Sequence, residues 1–429
     1  MTRPTKLLNK NFVLLWQGQL VSLFGVQAYS IAMMFWIKHQ TGSATLMGLV
    51  MMVSQIPGVV LGPISGVFVD RYSRWKIIVG SDLIRGIITI ALAALVFLIP
   101  DEKNIIIMGL FTIGLISSTI GAFFNPAITA AIPELVPTEK LATANSMHAF
   151  SYQASNTVGM GIGGVLFRIM GAWTLFFIDG ITYVFSAISE MFIKIPQHFP
   201  EKKTDSKSSI NRLIDDIKEG FLFIWKNKGM RDLFFTATLL NFFLVPGMVL
   251  TPFFVEDYLM ATSDWFGYIT GGFGLGTIIG FVFAGGIKVS GLVRSKINVT
   301  AIILLTLFLT LFGFIRAKQL AVANMFMAGI MGGFFNVNLL TILQQTTPDW
   351  IRGRVFAVLT TITGALTPVA MGMTGVITDL LNQNVPLVLI GGGALSFFSC
   401  IILAFSRAFR EYMAYEPGPE EMAVENGKR

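Results

Sequence analysis

The sequence predicts an all-α membrane protein of twelve transmembrane helices in two six-helix bundles, and three observations predict it. The 429-residue chain is 54% hydrophobic and only 13% charged, with 38 Phe and 21 Met, more apolar surface than a soluble core has use for. Its apolar residues gather into runs of membrane-spanning length, six before one long polar break and six after it. The two sets also repeat. Under a shift of 211 positions Gly121-Ala122-Phe123-Phe124-Asn125 falls on Gly332-Gly333-Phe334-Phe335-Asn336, Pro137 on Pro348, and Gly161, Gly164 and Val165 on Gly372, Gly375 and Val376. An even number of spans per unit gives both units the same orientation, a parallel repeat about an axis along the membrane normal.

A spanning helix needs about 20 apolar residues. Such runs cover 12–37, 44–69, 77–99, 105–132, 145–169 and 172–193, then 232–256, 263–287, 297–315, 320–346, 355–381 and 385–405. The first is read as retained, because the basic stretch Met1 to Lys10 leads into an apolar run without a small-residue cleavage site. The expected domains are an N-terminal bundle over 1–193, a linker over 194–231, a C-terminal bundle over 232–405 and a tail over 406–429. The linker opens polar from Pro196 to Ser209. It then sets Ile210, Leu213, Ile214, Ile217, Phe221, Ile224 and Trp225 at helical spacing among Arg212, Asp215, Asp216, Lys218 and Glu219, the pattern of an amphipathic helix on a membrane surface. The tail is short, with Glu416, Glu420, Glu421 and Glu425.

Of the 31 lysines and arginines, twenty-five fall in the termini and loops on one side of the expected membrane. Five (Lys38, Lys103, Arg168, Arg316, Lys318) fall on the other, and Arg85 lies within a span. The positive-inside rule then places both termini in the cytoplasm. It also explains the net charge of +7 without a nucleic-acid partner. Cys400 is the only cysteine, His39, His148 and His198 are scattered, and no P-loop occurs. The expectation is therefore no disulfide, no metal site, no cofactor and no enzyme activity.

The turn between the second and third spans runs from Gly66 to Lys76. Gly66 leaves room for another backbone, Asp70 can accept hydrogen bonds from a neighbouring helix start, and Arg71, Arg74 and Lys76 are cations of a cytoplasmic loop. This stretch resembles the signature loop of the major facilitator superfamily, G-x-x-x-D-R-x-x-R-[KR], matched at Gly66, Asp70, Arg71 and Arg74, with Trp75 where a basic residue is usual. The resemblance implies the major facilitator fold, alternating access, and a conformational latch made by these four residues. In the fifth span Ser155, Gly159, Gly163 and Gly164 resemble the superfamily's antiporter signature G-x-x-x-G-P-x-x-G-G, with Ser155 replacing the first glycine and Met160 the proline. Close helix packing explains the same small residues.

Three further stretches are similar to the branch of macrolide-efflux proteins and the enterobactin exporter: Ile132-Pro133-Glu134-Leu135-Val136-Pro137 with Ala144-Asn145-Ser146, Asp82-Leu83-Ile84-Arg85, and Arg352-Gly353-Arg354-Val355. That resemblance implies antiport of amphipathic drugs such as macrolides, with the proton gradient as energy source. A siderophore or a lysolipid is the alternative cargo. A receptor-like protein that transports nothing is the rival of another class, and it would predict a large soluble domain.

A charge at the centre of a span costs at least about 2.5 kcal/mol, so each one needs a reason. Asp82 and Arg85 share one helical face, where they neutralise each other or form a proton-coupling pair. Asp179, without an evident local cation, is the second candidate acid, and Glu134 and Glu190 are placed at the membrane interface. A mid-membrane cavity between bundles would take Gln27, Tyr29, Phe123, Asn125, Asn241, Phe242, Phe335, Asn336 and Asn338, whose aromatic and amide groups suit a bulky amphipathic ligand. The expected partners are that small substrate and the lipid bilayer of a bacterial cytoplasmic membrane, and the protein is expected to be a monomer.

Overall fold

The computed structural model describes residues 6–196, 206–286 and 291–415, and among them every regular element is a helix. Helix α1 (Lys10–Thr41) begins on Asn9, whose side chain accepts from the Phe12 N–H at 3.1 Å, and ends where Gly42 turns left-handed at φ 63°. The second span is α2 (Ala44–Val53), capped by Ser43, followed by α3 (Ile56–Arg71). Ser73 caps α4 (Arg74–Leu98), and α5 (Lys103–Leu135) carries Pro126 and Pro133. Helix α6 (Leu141–Met191) is 51 residues long, more than twice the roughly 30 Å of a hydrocarbon core if straight. Gly171, at φ 74° and ψ 174°, breaks it into two spans.

Beyond the linker come α7 (Ser206–Lys226), α8 (Lys228–Phe253) with a wider π turn at Phe254–Tyr258, α9 (Asp264–Gly286), α10 (Gly291–Phe312) and α11 (Lys318–Thr346). Then α12 (Asp349–Ala365) and α13 (Thr367–Leu380) make one bent span, α14 (Val385–Phe405) the last, and α15 (Arg407–Met413) a short terminal helix. The described residues thus hold eleven helices long and apolar enough to cross a membrane. One of these, α6, is double, and the total is the twelve spans of a major facilitator fold. Part of the expected polar opening of the linker (197–205) and the acidic tail (416–429) lie outside the described residues, as do the side chains of Ile210, Leu213 and Ile214.

The chain packs as two compact units. The first comprises Met1–Asn211, Val249–Gly271 and Met371–Asn384. In it α1 and α4 lie along α6, and α3 and α4 lie along α5, around a core that includes Phe12, Leu15, Ile78, Phe124, Ile128 and Ile132. The ends of α8 and α13 that belong to this unit are held by charge. Lys38 meets Glu256 at 2.9 Å and Asp257 at 2.7 Å, while Asp379 accepts from the Ser43 hydroxyl at 2.9 Å and the Thr45 N–H at 2.9 Å.

The sequence repeat is visible in this packing. A Cβ on Gly164 would collide with the Ser263 carbonyl just before α9, and one on Gly375, its partner 211 positions on, with the Ala44 carbonyl at the start of α2. Phe124 and Phe335 are both buried, and Asn125 and Asn336 are both exposed.

The second unit comprises Arg212–Met248, Gly272–Ala370 and Val385–Arg429. Helix α10 packs on α11, α14 and α15, and Met230, Leu233, Phe335, Ile342, Val355, Cys400 and Phe409 share its core. Helix α7 is pinned to α12 by Arg354, which reaches Asp216 at 2.8 Å and Glu219 at 2.6 Å. Gly220 allows the contact, since a Cβ there would stand 2.9 Å from the Arg354 carbonyl oxygen.

Candidate functional site

Two helices of the first unit, α4 and α6, bring charge into one buried group. Asp82 and Arg85 face inward from α4, with 0% and 8% exposure, and Asp179 from α6 with 2%. The Arg85 Nη1 lies 3.9 Å from Asp82. Its Nη2 donates to the Ser117 carbonyl at 3.1 Å, and the guanidinium sits over the rings of Phe124 at 4.8 Å and Tyr183 at 5.6 Å. The pair is therefore close but not a tight bidentate bridge. Neither Asp82 oxygen has a hydrogen-bond partner among the described residues, and neither does Oδ1 of Asp179 or the hydroxyl of Tyr29. The helices meet closely here because glycine permits it. A Cβ on Gly25 of α1 would stand 2.7 Å from Asp179 Oδ1, and one on Gly86 of α4 3.1 Å from the Gly180 carbonyl.

The structure adds a member that the sequence reading placed elsewhere. Glu190 is fully buried rather than interfacial. Its Oε1 accepts from Gln19 Nε2 at 2.7 Å, and the Trp75 indole N–H donates to its backbone carbonyl at 3.1 Å. Asp82, Arg85 and Glu190 are near enough to act on one another electrostatically, and Arg85 and Asp82 reach Asp179 in the same way, so Asp179 does have a cation in reach. A signal for this group was present in the sequence. Asp179, Tyr183, Ser186 and Glu190 recur at spacings of four, three and four, one polar stripe on an α-helix. Three acids and one base in an apolar bundle form a group whose net charge depends on how many protons it holds.

Beside this group lies a cavity of about 370 Å³ lined by Gln19, Tyr29, Arg85, Asn125, Asp179 and Tyr183, with Gln55, His148 and Tyr152 on other parts of its wall. Of the expected cavity residues in the first unit, Tyr29 and Asn125 line it. Gln27 instead packs on Gly159, where a Cβ would stand 2.7 Å from its own Cβ, and Phe123 meets Phe68 at a tilt of 59° with centroids 4.9 Å apart. In the second unit Phe335 is buried in the core. Asn241 and Asn338 donate to carbonyls of their own helices, those of Ala237 and Phe334. Phe242 meets Phe243 edge to face at 5.4 Å, and Asn336 is exposed.

The loop after α3 is tied to α5. Arg74 pairs with Asp70 at 3.6 Å and Glu134 at 3.9 Å and donates to the Ala130 carbonyl at 3.0 Å. Ser73, not Asp70, caps α4. Arg71 is exposed, and around Gly66 a Cβ would meet nothing within 4 Å, so no other backbone closes on that glycine. The antiporter-like residues of α6 form a packing seam. Ser155 is buried, Gly159 lies on Gln27, Gly163 on Ile31 and Gly164 on the backbone of Ser263.

Twelve spans, a repeat, the Gly66–Arg74 loop and a charged group inside a bundle define a transporter of the major facilitator superfamily, and not an enzyme. The chain belongs to the transmembrane secretion effector family, whose model matches residues 3–421. It is 26% identical to macrolide efflux protein A of Streptococcus pyogenes over 87% of this chain and 90% of that one. To the putative bacilysin exporter BacE of Bacillus subtilis it is 30% identical over 72% of this chain and 74% of that one. Among solved structures it resembles a bacterial homologue of the iron transporter ferroportin in its inward-facing state, with a TM-score of 0.69, 16% identity and coverage of 94% and 100% of the two chains. A D-xylose-proton symporter gives a TM-score of 0.67 at 13% identity, covering 95% and 99%. At these identities the two structures speak for the fold alone.

Proposed function

We propose that this protein is a secondary transporter that exports amphipathic compounds, macrolide-like drugs among them, by alternating access in exchange for protons. The observation that carries this reading is the buried group of Asp82, Arg85, Asp179 and Glu190, two of whose members, Arg85 and Asp179, line a cavity with polar and aromatic walls. A group whose charge changes with each proton bound is a physical means of linking proton uptake to a change of state. Similarity to a macrolide efflux protein supports the cargo class. Asp82 and Arg85 form the coupling pair in this reading, Asp179 is the second acid, and Gly66, Asp70, Arg71 and Arg74 form the latch. The protein works as a monomer in a bacterial cytoplasmic membrane with both termini inside, as the placement of lysine and arginine supports.

The test is uptake of a labelled macrolide or a fluorescent amphipathic dye into energised inverted vesicles, with and without a proton uncoupler. Wild type should accumulate the compound, the uncoupler should stop it, and Asp82→Asn should lose it while the protein stays folded by size exclusion and thermal melt. Uptake that survives the uncoupler would reject proton coupling. Uptake that survives Asp82→Asn but not the uncoupler would move the coupling role to Asp179.

A further inference from the structure

The second unit contains a groove of about 530 Å³ between α7, the first turns of α8 and the last turns of α14. Its lining is mostly apolar and includes Phe221, Trp225, Phe234, Phe235, Ile402 and Leu403. Several of these are open: Trp225 is 56% exposed, Phe235 68% and Ile402 73%. The anchoring of α7 keeps them so. Arg354 and Gly220 hold one face of α7 on α12, and Ile224 enters the core. The adjacent face, where Phe221 and Trp225 stack at 5.5 Å, is thereby left to the groove.

The rim carries the chemistry that selects an occupant. The Arg231 guanidinium lies in the groove wall, 5.4 Å from the centre of the Trp225 ring. Its ion-pair contact is Nε with the neighbouring Asp232 at 3.9 Å, and that carboxylate already accepts from the Ser406 hydroxyl at 2.7 Å. Lys226, next in the chain to Trp225, and Lys228, three residues before Arg231, are both exposed and have no ion pair to a described residue. Three cations to one engaged acid, above an apolar slot at the end of membrane spans, match a headgroup phosphate above an acyl chain. Basic pockets between spans bind anionic lipids for this reason, and a tryptophan at the rim suits the boundary between headgroup and chain.

We propose that this groove seats one anionic phospholipid, with its phosphate on Arg231 and Lys228 and an acyl chain along Phe235, Ile402 and Leu403. The lipid would hold α7 against the unit along the face adjacent to the one that Arg354 anchors. A zwitterionic lipid offers the same chain but gains less from the rim, so the groove should discriminate by headgroup.

The test needs no transported substrate. Purified protein is reconstituted in phosphatidylcholine bilayers that contain either phosphatidylglycerol or phosphatidylcholine with brominated chains, and the fluorescence that Trp225→Phe removes is followed. Brominated phosphatidylglycerol should quench that component at a lower mole fraction than brominated phosphatidylcholine, by about fivefold for each cation that contributes. Arg231→Ala with Lys228→Ala should bring the two curves together while leaving the melting temperature in detergent unchanged. Lys228→Gln alone should close part of the gap. Equal quenching by the two lipids, a preference that survives the double substitution, or no quenching dependent on Trp225 would each overturn the proposal.

Discussion

The two units use the same kind of helix and treat charge in opposite ways. The first buries Asp82, Arg85, Asp179 and Glu190. In the second, the polar residues buried as a whole among the described residues are uncharged, namely Thr236, Ser295, Asn298, Thr306, Asn324, Thr347 and Ser396, and the enclosed charge is that of the half-buried Arg294, two of whose guanidinium nitrogens are covered. Several of these are satisfied by their own helix. Thr306 donates to the Ile302 carbonyl at 3.0 Å, Ser396 to Gly392 at 2.9 Å and Asn298 to Arg294 at 2.9 Å. The sequence repeat therefore duplicates packing, with Phe124 and Phe335 buried one in each unit and Gly164 and Gly375 both closed on backbone carbonyls within the first unit, but it does not duplicate the buried charges.

The largest effect should come from breaking that asymmetry at Arg85. Arg85→Ala leaves three buried carboxyl groups without their guanidinium and should cost about 3–5 kcal/mol of stability. Thermal and denaturant melts in detergent measure this, and adding Asp82→Asn to Arg85→Ala should recover part of the loss. A control substitution at a buried polar residue of the second unit, Thr306→Val, should cost no more than about 1 kcal/mol, because its hydroxyl bonds within its own helix. Equal losses at the two sites would mean that the buried charges hold no special place in the first unit.

Next in size are the glycine contacts that carry the repeat. Gly164→Val and Gly375→Val each force a side chain against a backbone carbonyl and should each destabilise by about 1–3 kcal/mol. Similar losses would sharpen the view that the repeat is one of packing. A Gly375→Val variant that melts like wild type would break it. Gly66 gives the contrast, since space around it is open. Gly66→Ala should leave stability unchanged or raise it by up to about 1 kcal/mol. If that variant stays folded but stops transporting, the latch role of Gly66 lies in a conformation other than this one.

Much of this was legible in the sequence, for physical reasons that differ by element. Spans are legible because bilayer thickness sets their length, whereas the cap of α4 falls on Ser73 and not on Asp70, since which side chain reaches the exposed N–H groups depends on the turn between the helices. Asp82 and Arg85 could be paired because three residues on a helix is a fixed distance. For Glu190 two signals conflict, since nearness to a span end points to the interface and its spacing from Asp179 points to the buried stripe, and the structure follows the spacing. The direction in which a single Gln27 or Phe123 faces depends on which neighbouring helix lies against it, and no local pattern encodes that. Gly66 illustrates the converse, a motif residue whose close contact is absent from this structure.

The smallest expected effect tests the comparison through its two arginines. By geometry Arg354 is the better bonded, with carboxylates at 2.8 Å and 2.6 Å, whereas Arg85 stands 3.9 Å from Asp82. By surroundings the order reverses: the side chain of Arg354 is 35% exposed and those of its partners 47% and 48%, while Asp82 is 0% exposed. Water already solvates the ions of an exposed pair, so forming it gains little, and Arg354→Ala should cost about 0.2–1 kcal/mol. Removing a buried partner instead strands charge where nothing solvates it. A double-mutant cycle of Arg354→Ala with Glu219→Ala, read by melting in low and high salt, should give a small coupling that salt weakens further. A coupling as large as the loss at Arg85 would show that bond geometry, not burial, ranks the charges of this protein, and the contrast between its two units would fail.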